Sequence, residues 1–156
     1  MRTGIRLRNA ALGVLGWVAL SSVVLAQPTT IRVLKDARLL EGNDCTYIQI
    51  EFNFPVQYIN HFPPNAGDEL RIQVNPIIRN VQDRAALLSR EALTPPRDDD
   101  LGLLTLIYDG ELSSGPIVML QFRRPLSYSV GQGHDFRSVL VGIPGPDRTT
   151  PCLPLN

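Results

Sequence analysis

The chain has 156 residues, with 15 Lys+Arg against 15 Asp+Glu, two Cys and 13 Pro. That length suits one domain, and the balanced charge argues against a protein whose affinity rests on neutralising nucleic-acid phosphates. With 44% hydrophobic and 19% charged residues, the composition is that of neither a disordered chain nor a polytopic membrane protein.

In chain order, Arg2, Arg6 and Arg8 form a positive leader ahead of the uncharged, apolar run Ala10 to Leu25. Val24-Leu25-Ala26 then places small residues before Gln27. Residues 1–26 have the three-part layout of a secretory signal peptide. The apolar run falls short of the roughly 20 residues of a spanning helix, and no Cys follows it to carry a lipid. Cleavage would leave 130 residues with 12 basic against 15 acidic side chains, mildly acidic and without a membrane span. All 13 prolines stay, about twice the usual share of roughly 5%.

Export changes the meaning of the cysteines. In an oxidising compartment Cys45 and Cys152 form a disulfide framework with one internal pairing. The other reading, a nucleophilic or metal-binding thiol, lacks a recognisable partner, since the only histidines are His61 and His134. Closing that loop of 107 residues is worth on the order of 4–5 kcal/mol in the chain-entropy model.

The most informative pattern is an internal repeat. Residues 48–58 (IQIEFNFPVQY) match residues 118–128 (VMLQFRRPLSY), with Phe52, Pro55 and Tyr58 corresponding to Phe122, Pro125 and Tyr128 at an offset of 70. A second block, Gly67 to Arg71 against Gly133 to Arg137, follows at an offset of 66. Ile48, Ile50 and Phe52, like Val118, Leu120 and Phe122, alternate with polar or long side chains, the period of a half-buried strand. Pro55 and Pro125 cannot donate to a ladder and mark a bend or an edge. Val56–Tyr58 and Leu126–Tyr128 run on as second strands. Leu70, Ile72 and Val74 make a third, with Phe136 opening its counterpart; there Val139, Val141 and Ile143 have the opposite parity, which predicts a bulge or burial on both faces.

Ile31 to Leu34 is expected as the opening strand of the first copy and Leu103 to Tyr108 as that of the second. Asn80 to Leu93 carries helical spacing, with Asn80 as cap and Asp83 in the first turn. The expected organisation is repeat one over about 30–76, a linker over 77–100, repeat two over about 101–143 and an extended Pro-rich tail over 144–156. Short alternating strands predict an all-β fold, a β-sandwich of two three- to four-stranded sheets, one per repeat, with at most one short helix.

Catalytic signatures are absent from the sequence: there is no G-x-S-x-G, H-E-x-x-H, phosphate-binding Gly-rich loop or C-x-x-C. His61 and His134 are expected as solvated loop residues, Asp98-Asp99-Asp100 as a solvated turn rather than a calcium site, and Ser113-Ser114 as a turn. No enzyme activity, metal or cofactor is expected. The candidate ligand-binding residues are the polar faces of the strands: Tyr47, Gln49, Glu51, Arg71 and Gln73 in the first copy, and Gln121, Arg123 and Arg137 in the second. Planar amides and guanidinium forks suit sugar hydroxyls, acetamido groups and carboxylates.

The pattern Ile48-x-Ile50-x-Phe52-x-x-Pro55-Val56-x-Tyr58 with Gly67-x-x-Leu70-Arg71-Ile72, duplicated at 118–141, resembles the AMIN domain. It is most similar to the AMIN-like N-terminal regions of exported proteobacterial envelope proteins. Arg90 to Pro96 is similar to the segment joining the two halves there. The resemblance covers about residues 30–143 and implies a two-sheet β-sandwich, a periplasmic location and a non-catalytic role in binding peptidoglycan or localising cell-wall machinery. It supplies no catalytic residues. The expected partner is therefore cell-wall glycan or a periplasmic envelope protein. The alternative is an assembly subunit that pairs through a strand edge with a secretion or filament complex.

Overall fold

The computed structural model describes residues 31–80, 83–98 and 100–152. Residues 1–26, expected as a signal peptide, lie outside the described residues. Two antiparallel sheets pack face to face, and one short helix completes the described chain. The strands are β1 (Leu34–Gly42), β2 (Cys45–Phe52), β3 (Val56–Phe62), β4 (Ala66–Pro76), β5 (Arg90–Leu93), β6 (Leu103–Asp109), β7 (Ile117–Ser127), β8 (Ser129–Gln132) and β9 (Ser138–Pro144). One sheet runs β1-β2-β9-β8 and the other β3-β4-β7-β6-β5. The all-β sandwich is thus as expected.

Its assembly differs from one sheet per repeat. If β1 to β4 correspond to β6 to β9, both sheets have the same order: a β1-β2 hairpin of one copy beside a β4-β3 hairpin of the other. Each copy is therefore split between the sheets. The physical reason lies at the prolines. Asn53 to Pro55 interrupt β2 and β3 and carry the chain across to the second sheet. Val56 N–H and Phe52 N–H donate there to Phe136 O (2.7 Å) and Arg137 O (2.8 Å), so the corner leaves those donors satisfied. Pro125 sits where the β4–β7 register skips between Gly67↔Leu126 and Glu69↔Gln121, and β7 gives way to β8 shortly after.

The register also resolves the parity of the last strand. Ile48 pairs with Val141 and Ile50 with Val139, while Val118 pairs with Ile72 and Leu120 with Leu70. Leu70 and Ile72 therefore correspond to Val139 and Val141 at an offset of 69, not 66. Phe136 opens no strand: it has φ 51° in the turn before β9 and its side chain is exposed. The inward residues Ile48, Ile50, Phe52, Leu70, Ile72, Val74, Val118, Leu120, Phe122, Val139, Val141 and Ile143 form the core, as their alternation predicted. β9 is buried on both faces, because Cys152 and Tyr47 lie against Gly142 on the outer side.

Two further elements depart from the periodicity. β1 runs from Leu34 to Gly42 rather than ending at Leu34, and turns into β2 through Asn43 and Asp44, both with positive φ (51° and 57°). That two-residue reversal matches the twist of a hairpin. The expected helix shrinks to α1 (Arg84–Leu87), whose N-cap Asp83 makes no side-chain capping bond. Arg90 to Leu93 instead form β5 on the open edge of β6. One turn of helix cannot hold itself without tertiary support, whereas the β6 edge offers a ladder, and α1 ends against Gly110, where a Cβ would meet Leu87 O at 1.6 Å.

Both open sides of the sandwich are sewn by a side chain that substitutes for a strand. On one, Gln132 accepts from Tyr58 N–H (2.7 Å) and donates to Val56 O (3.1 Å). On the other, Glu91 accepts from Val33 N–H (2.7 Å) and Leu34 N–H (3.0 Å). The expected Cys45–Cys152 disulfide is present, with Cα atoms 6.1 Å apart, and ties the tail to the outer face of the four-stranded sheet.

Candidate functional site

The fold divides the sequence-derived ligand residues among three places. Tyr47, Gln49 and Glu51 project from β2 to the outer face of the four-stranded sheet. That face is largely occupied. Tyr47 is 3% exposed beneath the tail, clustered with the disulfide and Leu40. Glu51 is buried and paired with Lys35 Nζ (3.0 Å) and with Arg38. Gln49 is half-buried. Tyr47 and Glu51 therefore serve packing and charge pairing, which alternation along β2 could not reveal: Cys152, which covers Tyr47, arrives from far along the chain, and the partners of Glu51 come from the neighbouring β1.

Arg137 lies in the turn before β9. Its guanidinium donates to Asn53 O (2.8 Å), beside a cleft of about 250 Å³ that Lys35, Glu51 and Asp135 also line. Burial pushes the Asp135 carboxyl up, but bonds from Arg137 N–H and the Ser138 hydroxyl outweigh it and leave the group below its usual value. Arg123 is exposed within the register skip between β4 and β7, its N–H bonded to Gly102 O (2.8 Å).

Arg71, Gln73 and Gln121 do come together, on the outer face of the five-stranded sheet. Arg71 stands opposite Phe62 on one side and Met119 on the other, and Ile107 continues that row. Gln73 stands between Asn60 and Ile117, and Glu69 opposite Gln121. The polar groups are pre-set. Asn60 Nδ2 donates to Gln73 Oε1 (3.0 Å), Gln73 Nε2 donates to Ser114 O (2.9 Å), and Arg71 Nε donates to Glu69 Oε1 (2.5 Å). Phe62 is 69% exposed and Arg71 is exposed beside it. An open aromatic ring next to a guanidinium and two amides can pack one face of a ring and bond the groups at its rim.

Phe62 and Asn60 escaped the sequence reading for a specific reason. Strict alternation from Val56 and Tyr58 turns Asn60 and Phe62 inward. The register shift between Tyr58 and Asn60 reverses this and sends both outward. The same bulge turns His61 inward, so it is not the solvated loop residue expected. His61 sits on β3 opposite Ile72. Its Nε2 faces Pro64 O at 2.8 Å, which requires a proton there, so Nδ1 accepts from the Tyr58 hydroxyl (2.6 Å) in the neutral ring. Tyr128, the repeat equivalent of Tyr58, packs edge-on against the same imidazole at 6.3 Å. Burial raises both phenols above their ordinary pKa, and the Asp68 charge adds to the effect at Tyr128.

His134 is exposed in a turn, as expected. Asp98 Oδ1 accepts from Asp100 and Leu101 N–H (2.9 and 3.0 Å), and Gly115 N–H closes the Ser113-Ser114 turn onto Leu112 O (3.0 Å). Among the described residues, no three His, Cys, Asp or Glu side chains converge as a metal site would need, and no helix is long and apolar enough to cross a membrane. Comparison with protein-family models, with curated proteins and with solved structures finds no match.

Proposed function

We propose that this protein is an exported, non-catalytic envelope module of AMIN type whose five-stranded outer face binds cell-wall glycan, peptidoglycan above all. The observation that carries the reading is the gathering of Arg71, Gln73 and Gln121 on one face beside the open ring of Phe62. Peptidoglycan presents acetamido groups and carboxylates on apolar sugar faces. A guanidinium fork matches the carboxylate, the amides match the acetamido groups, and the aromatic ring matches a sugar face. The leader-like segment 1–26 and the Cys45–Cys152 bond support passage to an oxidising compartment such as the periplasm.

Pairing through a strand edge fits less well. The outer strand β1 carries Lys35, Asp36, Arg38 and Glu41, and charges of this kind discourage edge-to-edge addition. The test is co-sedimentation with purified sacculi at moderate salt. The expected result is retention of the wild type and roughly tenfold weaker retention of Arg71→Ala and of Phe62→Ala, the loss of one charge-assisted bond or one ring contact. A wild type that stays in the supernatant removes the glycan reading.

A further inference from the structure

A second surface shares no residue with that outer face. A cleft of about 420 Å³ opens between the β3–β4 turn, the junction of β7 and β8, and the C-terminal tail. We propose that it is a binding site for a small anionic saccharide of the uronic-acid type, held by its carboxylate on Arg148.

Arg148 stands between this cleft and a neighbouring one of about 760 Å³ that Glu41, Asp44 and Asp147 line, but the charge of the smaller cleft itself is one-sided. Although the chain holds 15 acidic residues, none lines this cleft, and Arg148 is its fixed cation. Arg148 is half-buried and pinned at two points, its Nε donating to Thr150 O (3.1 Å) and Nη1 to Asn43 O. Those bonds engage two of the five N–H groups of a guanidinium. No carboxylate of the described residues lies within ion-pair distance of it. A cation already ordered by backbone carbonyls loses little freedom on binding, and one guanidinium neutralises a singly charged carboxylate but only part of the charge of a phosphate monoester.

The rest of the wall suits a polyhydroxylated ring. Asn65, Ser127 and Thr149 line the cleft, are exposed, and spend no side-chain hydrogen bond on the described residues, so each can both donate and accept. The His61 imidazole, with both nitrogens engaged and Tyr128 packed edge-on, forms a rigid side. The volume suits a mono- or disaccharide, at the lower end of small-molecule sites. Arg148 and Thr149 belong to the tail that Cys152 ties down, so the disulfide builds one wall.

The test is a ¹H–¹⁵N titration of the full oxidised chain with glucuronate, with glucose as the neutral counterpart. Glucuronate is expected to move the Asn65, Tyr128, Ser129 and Thr149 amides and the Arg148 side chain in a saturable way. Glucose should bind roughly tenfold or more weakly, the loss of a charge-assisted pair. Arg148→Gln should show the same weakening. Because Arg148 also steadies the tail, Ser127→Asp provides a separate variant: it adds a repelling charge on an exposed position and leaves the tail bonds untouched. Reduction of Cys45–Cys152 should weaken binding as well. Absence of saturable shifts, equal binding of glucose, or unchanged affinity in both variants would overturn the proposal. Sacculus retention by Arg71→Ala is unaffected by any of these outcomes, so the two readings fail separately.

Discussion

Replacing Glu91 by alanine removes the carboxylate that closes one side of the sandwich. Its Oε1 takes the Val33 N–H and the Ser89 hydroxyl, and its Oε2 takes the Leu34 N–H, with only 8% of the side chain exposed. Val33 and Leu34 are themselves 0% and 1% exposed, so their amides have little water to turn to. Each hydrogen bond to a charged group contributes about 1.5–3 kcal/mol, and a buried N–H left unpaired costs a similar amount. The ion pair with the exposed Arg32 at 3.7 Å adds little. Two lost amide bonds therefore cost about 3–6 kcal/mol. The segment could instead detach, but that exposes two apolar side chains at roughly 2 kcal/mol each, a comparable cost. Glu91→Gln keeps one acceptor but turns an NH₂ toward the other amide, and should lose about half as much. Urea titration measures both, with the midpoint falling at constant slope. Amide exchange of Val33 and Leu34 reports the local loss. A Glu91→Ala protein that loses under about 1 kcal/mol with both amides still protected would refute this account.

Removing the disulfide as Cys45→Ala with Cys152→Ala should cost up to about 5 kcal/mol for a separation of 107 residues, measured by denaturant midpoint; fraying of the freed tail in the native state lowers the value. Gly142→Ala places a Cβ 2.7 Å from Cys152 Cβ and 3.1 Å from Tyr47 Cε1, and should cost about 1–3 kcal/mol. In the cysteine-free background the tail can lift, so a double-mutant cycle should show that cost shrinking; an unchanged cost places the clash elsewhere. Alkaline pH should destabilise the fold. Burial, then the Glu91 and Asp109 charges, raise the Tyr108 phenol strongly, and burial raises Tyr58 and Tyr128. Raised native values mean stability is intact below the unfolded phenol value of about 10 and lost as pH climbs past it toward the native ones. Thermal melts across that range, with phenolate absorbance followed in parallel, test it: ionisation of these phenols at the ordinary value without loss of stability contradicts the assignment.

Local pattern carried much of the fold and little of the site. Alternation placed Ile48, Ile50 and Phe52, and their counterparts Val118, Leu120 and Phe122, in the core, because a half-buried strand must segregate its faces every two residues. Two cysteines allow one internal bond, and the prolines at 55 and 125 forbid a straight ladder. These are short-range consequences of side-chain chemistry. Which hairpin pairs with which is not: the β1-β2 hairpin finds β9 of the other copy, and Arg90 to Leu93 abandon a helix for the edge of β6, because unpaired backbone must be satisfied by whatever strand the packed core brings alongside. Likewise the bulge after Tyr58 turns Phe62 and Asn60 outward and His61 inward, and Cys152 arriving over β9 buries Tyr47. Strand alternation and the two cysteines thus pointed to an all-β chain with one covalent tie, while the crossing of the two copies decided which of its polar residues share a face.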